Sequence, residues 1–188
     1  KISNNKKNMI ITFHPEVSFN QKLTQNKFSN ICQVLSKQKH FNIIFTSPAQ
    51  ELNSNIIIKC IKQFCKKNKN AKYIESLGRE IYFSCLKHFD ILLGNSSSGI
   101  IEAPYFNIPV INIGKRQSGR DCSINIVNCN YTQQELTDKI NYIFSKKFKE
   151  KIKDNKAVYF QKNSVEKIFK KISTIKIKKD ISKIFNDL

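Results

Sequence analysis

Six apolar runs of strand length, separated by segments whose apolar residues recur every three or four positions, constrain this chain more than any other feature. The runs lie at about Asn8 to Phe13, Asn42 to Thr46, Lys72 to Ile74, Ile91 to Gly94, Val110 to Ile113 and Ile124 to Val127. Short apolar runs bounded by turn residues read as buried strands, and a 3.6-residue period reads as a helix face. Phe28, Ile31, Val34 and Leu35 share such a face, and Ile57, Ile58, Ile61, Phe64 and Cys65 repeat it. Short helices are expected over Glu80 to Lys87 and over Ser98 to Tyr105. Thr132 with Glu135 forms a capping box that opens a helix through Leu136, Ile140 and Ile143. Strand and helix in alternation, joined by right-handed crossovers, give an α/β chain with a Rossmann-like doubly wound parallel sheet. Ligands of such sheets bind at the carboxyl ends of the strands.

At 188 residues and 40% hydrophobic content the chain can bury a core without staples or metal. The expected unit runs over residues 1–172, followed by a basic helix or tail over 173–188. From about Ser145 the text is Lys-rich and helical, and Val165, Ile168, Phe169 and Ile172 make an apolar stripe that needs a surface to pack on. No uninterrupted apolar run approaches the roughly 18 residues of a membrane-spanning helix. The basic start leads into a short apolar stretch ending at His14 and Pro15, without a small-residue cleavage site, so it does not read as a signal peptide. Beginning at Lys1 and going almost directly into a strand, the chain reads as a piece of something longer. Cys32, Cys60, Cys65, Cys85, Cys122 and Cys129 include no C-x-x-C pair and no His at zinc-ligand spacing. They read as small buried hydrophobes of a reducing cytoplasm, with no metal and no cofactor implied.

The net charge of +19 says less than its size suggests. Only Arg79, Arg116 and Arg120 among 33 basic residues are Arg. A selected nucleic-acid surface spends Arg on bidentate phosphate and base contacts. The Lys excess instead fits the codon bias of an AT-rich genome. It is also concentrated in the tail, where residues 146–188 hold 14 Lys against 5 acidic residues, while residues 90–145 hold 4 basic against 5 acidic. Weak, salt-sensitive contact with polyanions follows from charge alone, and specific nucleic-acid binding does not.

Chemistry concentrates in Asp90 to Arg120. A strand there enters Gly94-Asn95-Ser96-Ser97-Ser98-Gly99 and then a helix. Backbone amides and three hydroxyls at a helix start suit an anion such as phosphate, although a lone serine there also serves as an ordinary cap. Glu102 lies one turn on, where a carboxylate accepts from hydroxyls such as those of a ribose. Arg116 follows the next strand at its carboxyl end, and a nucleoside diphosphate accounts for all three features together. His14 ends the first strand at the same edge of the sheet. Other motifs fail: G-x-S-x-G meets Ser98 where it needs Gly, and neither G-K-[ST] nor G-x-G-x-x-G occurs.

This text resembles the hydrolysing UDP-N-acetylglucosamine 2-epimerases, especially the sialic-acid and legionaminic-acid pathway branch. The matching stretches are ITFHPE at Ile11 to Glu16, FTSP at Phe45 to Pro48, SLGREIYFSCLKHFDILLGNSSSGIIEAP at Ser76 to Pro104, and PVINIGKRQSGR at Pro109 to Arg120. The resemblance implies a glycosyltransferase-B-like enzyme of two Rossmann domains, of which this is the C-terminal, nucleotide-binding one. The family eliminates UDP across C1 and C2 of the sugar to give a glycal, then hydrates it to N-acetylmannosamine. His14 matches the histidine near the diphosphate, and Ser96 and Ser97, with Gly99 beside them, match the phosphate-binding turn. Glu102 matches the carboxylate on ribose, Arg116 the nucleotide-contacting arginine, and Leu77 a position whose backbone meets uracil. The family's general acid and base lie on an N-terminal domain absent from this chain, so the chain alone should bind nucleotide without turnover. Implied partners are a UDP-sugar, that missing domain and, in the intact protein, further copies of itself. The chain departs from the family pattern at Pro48-Ala49-Gln50-Glu51, where relatives commonly have P-N-A-D with an Asn on the nucleotide, and at Tyr159-Phe160-Gln161-Lys162, which lacks the glycines of Y-G-x-G. The donor-binding domain of a glycosyltransferase shares the fold and crevice and is the alternative; a basic nucleic-acid module is the third reading.

Overall fold

Alternation within the apolar runs decides the architecture, because successive strand residues face opposite sides of a sheet and both sides here are apolar. The computed structural model describes residues 5–176. Six strands form within them: β1 (Lys7–Thr12), β2 (Phe41–Thr46), β3 (Ala71–Ile74), β4 (Ile91–Gly94), β5 (Val110–Ile113) and β6 (Ile126–Cys129). They pair in parallel throughout, in the order β3-β2-β1-β4-β5-β6. This is the doubly wound Rossmann order that the alternation implies.

Met9, Ile11, Ile43, Phe45, Leu93 and Ile111 point to one face, where they are buried with residues of α1 (Gln21–Ser36), α2 (Ser54–Lys67), α5 (Gln133–Ile143) and α6 (Lys146–Lys151). Phe28 and Ile31, Ile57 and Ile61, Leu136 and Ile140, and Phe148 are the helix contributions. The opposite face is smaller: Ile10, Leu92, Val110 and Ile126 meet Cys85 and Leu86 of α3 (Gly78–His88) and Ile100 of α4 (Ser98–Ile101). Each large apolar side chain so buried contributes about 1.5–3 kcal/mol. Local signals start the helices. Asn20 accepts from the Leu23 N–H at 2.9 Å, Ser145 from Phe148 at 3.2 Å, and Thr132 from Glu135 at 3.4 Å.

Three elements differ from the sequence reading. The last strand begins two residues late, at Ile126, because Asn125 is wholly buried and gives its amide to the Ile108 carbonyl at 2.7 Å while Ile124 faces solvent. The helix expected over Ser98 to Tyr105 is one α-helical turn followed by a 3-10 turn, Ala103–Phe106. Pro104 has no N–H to continue the α-helical ladder, so the chain tightens there. The third difference is α7 (Ser164–Thr174), which forms with the implied apolar stripe, yet Val165, Ile168, Phe169 and Ile172 are 58–79% exposed. No described residue covers them. The tail assigned to residues 173–188 lies outside the described residues from 177 onward.

Five of the six cysteines are buried or half-buried, as expected of small core residues, but Cys122 is exposed. Burial pushes the Cys32 and Cys129 thiols up to about 12. No helix among the described residues is long and apolar enough to cross a membrane.

Candidate functional site

Strand order reverses between β1 and β4: β1 leads outward to β2, and β4 leads to β5 on the other side. The loops after these two strands therefore diverge and leave a crevice at the carboxyl edge. It encloses about 580 Å³ and is lined by Thr12 and His14 after β1, Thr46 and Ser47 after β2, and Leu77, Gly78, Arg79 and Tyr82 of α3 with the segment before it. Ser96, Ser98 and Glu102 complete it from the turn after β4. Gly94 lets that turn pass beneath the end of β1: its φ is +146°, and a Cβ there would collide with the Thr12 carbonyl.

The turn itself is open on one side. Among the described residues, the Ser96 and Ser97 amides donate to no carbonyl, whereas the Gly99 N–H is spent on the Ser96 carbonyl at 3.1 Å. The Ser96 hydroxyl faces the crevice, and the Ser98 hydroxyl shares a 2.7 Å hydrogen bond with the Tyr82 hydroxyl. Burial raises the Tyr82 pKa, with Ser98 and Thr12 partly offsetting it, so the phenol stays neutral. Glu102, at the end of α4, presents its side chain to the same space.

Not every residue singled out from the sequence lines this crevice. His14, Leu77, Ser96 and Glu102 do. Ser97 does not line it, and its carbonyl takes the Ile100 and Ile101 amides at 2.9 Å each. Gly99 faces the sheet, where a Cβ would come within 3.2 Å of Leu92 and Val110, so its role is to let α4 lie close against β4 and β5. Arg116 stands at the expected edge, on the loop after β5, but its guanidinium donates to the Glu51 carboxylate at 2.7 Å. Neither residue of that pair lines the crevice, but both act electrostatically on His14. The other departure from the family pattern, at Tyr159, folds back usefully: the Tyr159 hydroxyl accepts from the Asp121 N–H at 3.1 Å, and Phe160 packs on Tyr105 with ring centroids 4.8 Å apart.

His14 is held by three hydrogen bonds. Its N–H donates to Asn95 Oδ1 at 2.7 Å and its carbonyl accepts from Asn95 Nδ2 at 2.8 Å. The Ala49 N–H donates to its Nδ1 at 3.0 Å. Burial and the Arg116 charge lower its pKa from 6.5, against an opposing pull from Glu51. Sequence reasoning missed Asn95, Glu51, Tyr82 and Gln117, whose amide donates to the Asn95 carbonyl at 2.8 Å. Arg79 was missed too, although an arginine among three in so lysine-rich a chain is a signal. The others carry no local mark, because each acts through a residue far away in sequence. Among the described residues no group of three or more His, Cys, Asp or Glu side chains is placed to hold a metal.

With that geometry in place, the family model for UDP-N-acetylglucosamine 2-epimerase matches residues 1–173. The chain belongs to this family. Among curated relatives of this epimerase-family chain, the GDP/UDP-N,N'-diacetylbacillosamine 2-epimerase (hydrolyzing) of Campylobacter jejuni is 36% identical over 142 residues, which is 75% of this chain and 36% of that protein. The polysialic acid biosynthesis protein P7 of Escherichia coli is 30% identical over 185 residues, 96% of this chain and 44% of the relative. The crystal structure of the UDP-GlcNAc 2-epimerase from Neisseria meningitidis bound to UDP-GlcNAc superposes with a TM-score of 0.65 at 19% identity, over 92% of this chain and 45% of that one. At that identity the likeness is one of fold. The epimerase-family chain therefore spans less than half the length of these relatives.

Proposed function

We propose that the crevice binds the UDP part of an acetamido-sugar nucleotide and that the chain is the C-terminal, nucleotide-binding half of a hydrolysing 2-epimerase. The observation that carries this reading is the convergence of His14, Leu77, Ser96 and Glu102, drawn from three separate loops, on one crevice at the switch point of the sheet. Ser96 and the free amides of Ser96 and Ser97 offer donors to the diphosphate, and Glu102 accepts from the ribose hydroxyls. The segment at Leu77, where Gly78 turns the chain with φ of +65°, presents backbone to the base. Arg116 reaches the nucleotide by exchanging its bond to Glu51 for one to phosphate, and Gly99 contributes close packing beneath the turn rather than a contact.

In the intact enzyme the reaction would remove UDP and the C2 proton to leave a glycal, after which water adds across the double bond to give the 2-epimeric free sugar, N-acetylmannosamine for the N-acetylglucosamine substrate. The acid and base belong to the other domain, so this half binds and orients the leaving group and does not turn over alone. The Escherichia coli relative supports a place in sialic-acid synthesis, and free thiols, five of the six buried or half-buried, suit a reducing cytoplasm.

Calorimetric titration of the chain with UDP tests the reading, with Glu102→Ala in parallel. Saturable binding that weakens at least tenfold in the variant is expected. Equal binding by both would move the nucleotide out of this crevice. Joined to the missing half, the enzyme should release free N-acetylmannosamine; transfer of the sugar to an acceptor would instead establish the glycosyltransferase reading.

A further inference from the structure

The contacts around His14 fix which of its two nitrogens carries the proton. A backbone N–H can only donate, so the 3.0 Å bond from Ala49 makes His14 Nδ1 an acceptor with no proton of its own. The neutral imidazole then has its hydrogen on Nε2, the nitrogen left for the crevice that His14 lines. We propose that Asn95 and the Ala49 amide are positioning groups that present His14 to the nucleotide as a neutral Nε2–H donor, and so as a hydrogen-bonding group to an oxyanion and not as a base. This deepens the proposed function and rests on it for the identity of the oxyanion, the diphosphate.

Both positioning groups are themselves anchored. Asn95 is fully buried. Its side chain clasps the His14 backbone from both sides, its own N–H reaches the Thr12 carbonyl at 3.3 Å, and its carbonyl takes the Gln117 amide at 2.8 Å. The ends of β1 and β4 and the loop after β5 are thereby tied at one residue. Ala49 is held by Ser54, whose hydroxyl donates to the Ala49 carbonyl at 2.6 Å and accepts from the Glu51 N–H at 3.1 Å. The bond to Nδ1 comes from the backbone, so it survives the absence of a polar side chain at position 49.

Charge acts in the same direction. Protonating Nδ1 would break the bond to Ala49 and place a cation beside Arg116, on the loop after β5, in a half-buried setting. Glu51, on the loop before α2, opposes this but in the free protein is paired with Arg116 at 2.7 Å. Glu75, Arg79 and Glu102 are the other charged residues around the crevice, and none is among the groups that shift His14.

Long-range proton–nitrogen correlation of the full chain labelled with ¹⁵N-histidine reads the tautomer directly. His14 is assigned by the signal lost in His14→Gln, with His40 and His88 as internal controls. At pH 7 a pyridine-like Nδ1 and a pyrrole-like Nε2 are expected, and saturating UDP should shift the Nε2 resonance while the ring stays neutral. Ser54→Ala, which frees the Ala49 loop without touching the crevice wall, should give a mixture of tautomers; Asn95→Ala should do so more strongly if it folds. An Nδ1–H or imidazolium pattern in the free protein, an imidazolium formed on UDP binding, or an unchanged pure tautomer in Ser54→Ala would each overturn the proposal. Should UDP fail to bind by calorimetry, the proposed function falls while the free-protein spectrum still decides the tautomer.

Discussion

Two loops at the carboxyl edge of the sheet carry the motif text, and they are built for different work. The turn after β4, from Gly94 to Gly99, leaves the Ser96 and Ser97 amides without a carbonyl partner, and the Ser96 hydroxyl, which accepts from the Ser98 N–H at 3.4 Å, keeps its own proton free. The loop after β5, from Gly114 to Arg120, turns three of its donors onto the protein: the Lys115 N–H donates to Glu16 at 3.0 Å, Arg116 to Glu51 at 2.7 Å and Gln117 to Asn95 at 2.8 Å. On the proposed function, a contiguous motif divides into a surface that recognises and a buttress that holds that surface in place. Unspent donors are tolerable at the first loop because Ser96 and Ser97 are partly exposed, whereas the buried Gln117 amide at the second must find a partner.

The largest effect that separates them is steric. Gly94→Ala forces a Cβ into the Thr12 carbonyl at a positive φ and should cost about 3 kcal/mol or more of stability, while Gly119→Ala, with φ of +83° but open space around it, should cost about 1 kcal/mol, both read from denaturant midpoints. Next comes nucleotide affinity. Removing the Glu102 carboxylate should weaken UDP about tenfold to a hundredfold by calorimetry, an amount set by a charge-assisted hydrogen bond. Arg116→Ala should weaken it less, since the wild-type guanidinium must first leave Glu51; an equal or greater loss would place Arg116 with the recognising loop. Ser96→Ala should cost about threefold to tenfold, as one neutral hydrogen bond is lost.

The smallest expected effect is a pH dependence. The folded protein lowers the His14 pKa from 6.5, so the unfolded chain binds this proton more readily. Stability should be fully present above pH 6.5 and decline as pH falls from there through the lowered folded value. Urea unfolding over that range, compared with His14→Gln, should show a slope in the wild type that shrinks in the variant. A slope of opposite sign would mean that Glu51, and not burial with Arg116, governs the imidazole.

Much of the fold is written in local pattern. The apolar runs place β1 to β5 within a residue of where they form, and the faces of α1, α2 and α5 bury as their periodicity implies. Where the reading slips, a single side chain overrides it: buried Asn125 delays β6, and Pro104 shortens α4. The crevice lining is legible where a motif residue itself reaches it, as Ser96 and Glu102 do. The site is illegible where contacts bridge distant segments, as between Asn95 and His14, 81 residues apart, or between Arg116 and Glu51, 65 apart.

The sequence by itself determined the parallel α/β class, the edge of the sheet at which the crevice opens and the turn that lines it, because periodicity and turn chemistry act over a few residues. Only the tertiary structure decided which motif residues reach the crevice, that Gly99 packs and Arg116 pairs, and which nitrogen of His14 holds its proton. Those outcomes depend on hydrogen-bond partners brought together by strand order, and strand order is a property of the whole sheet.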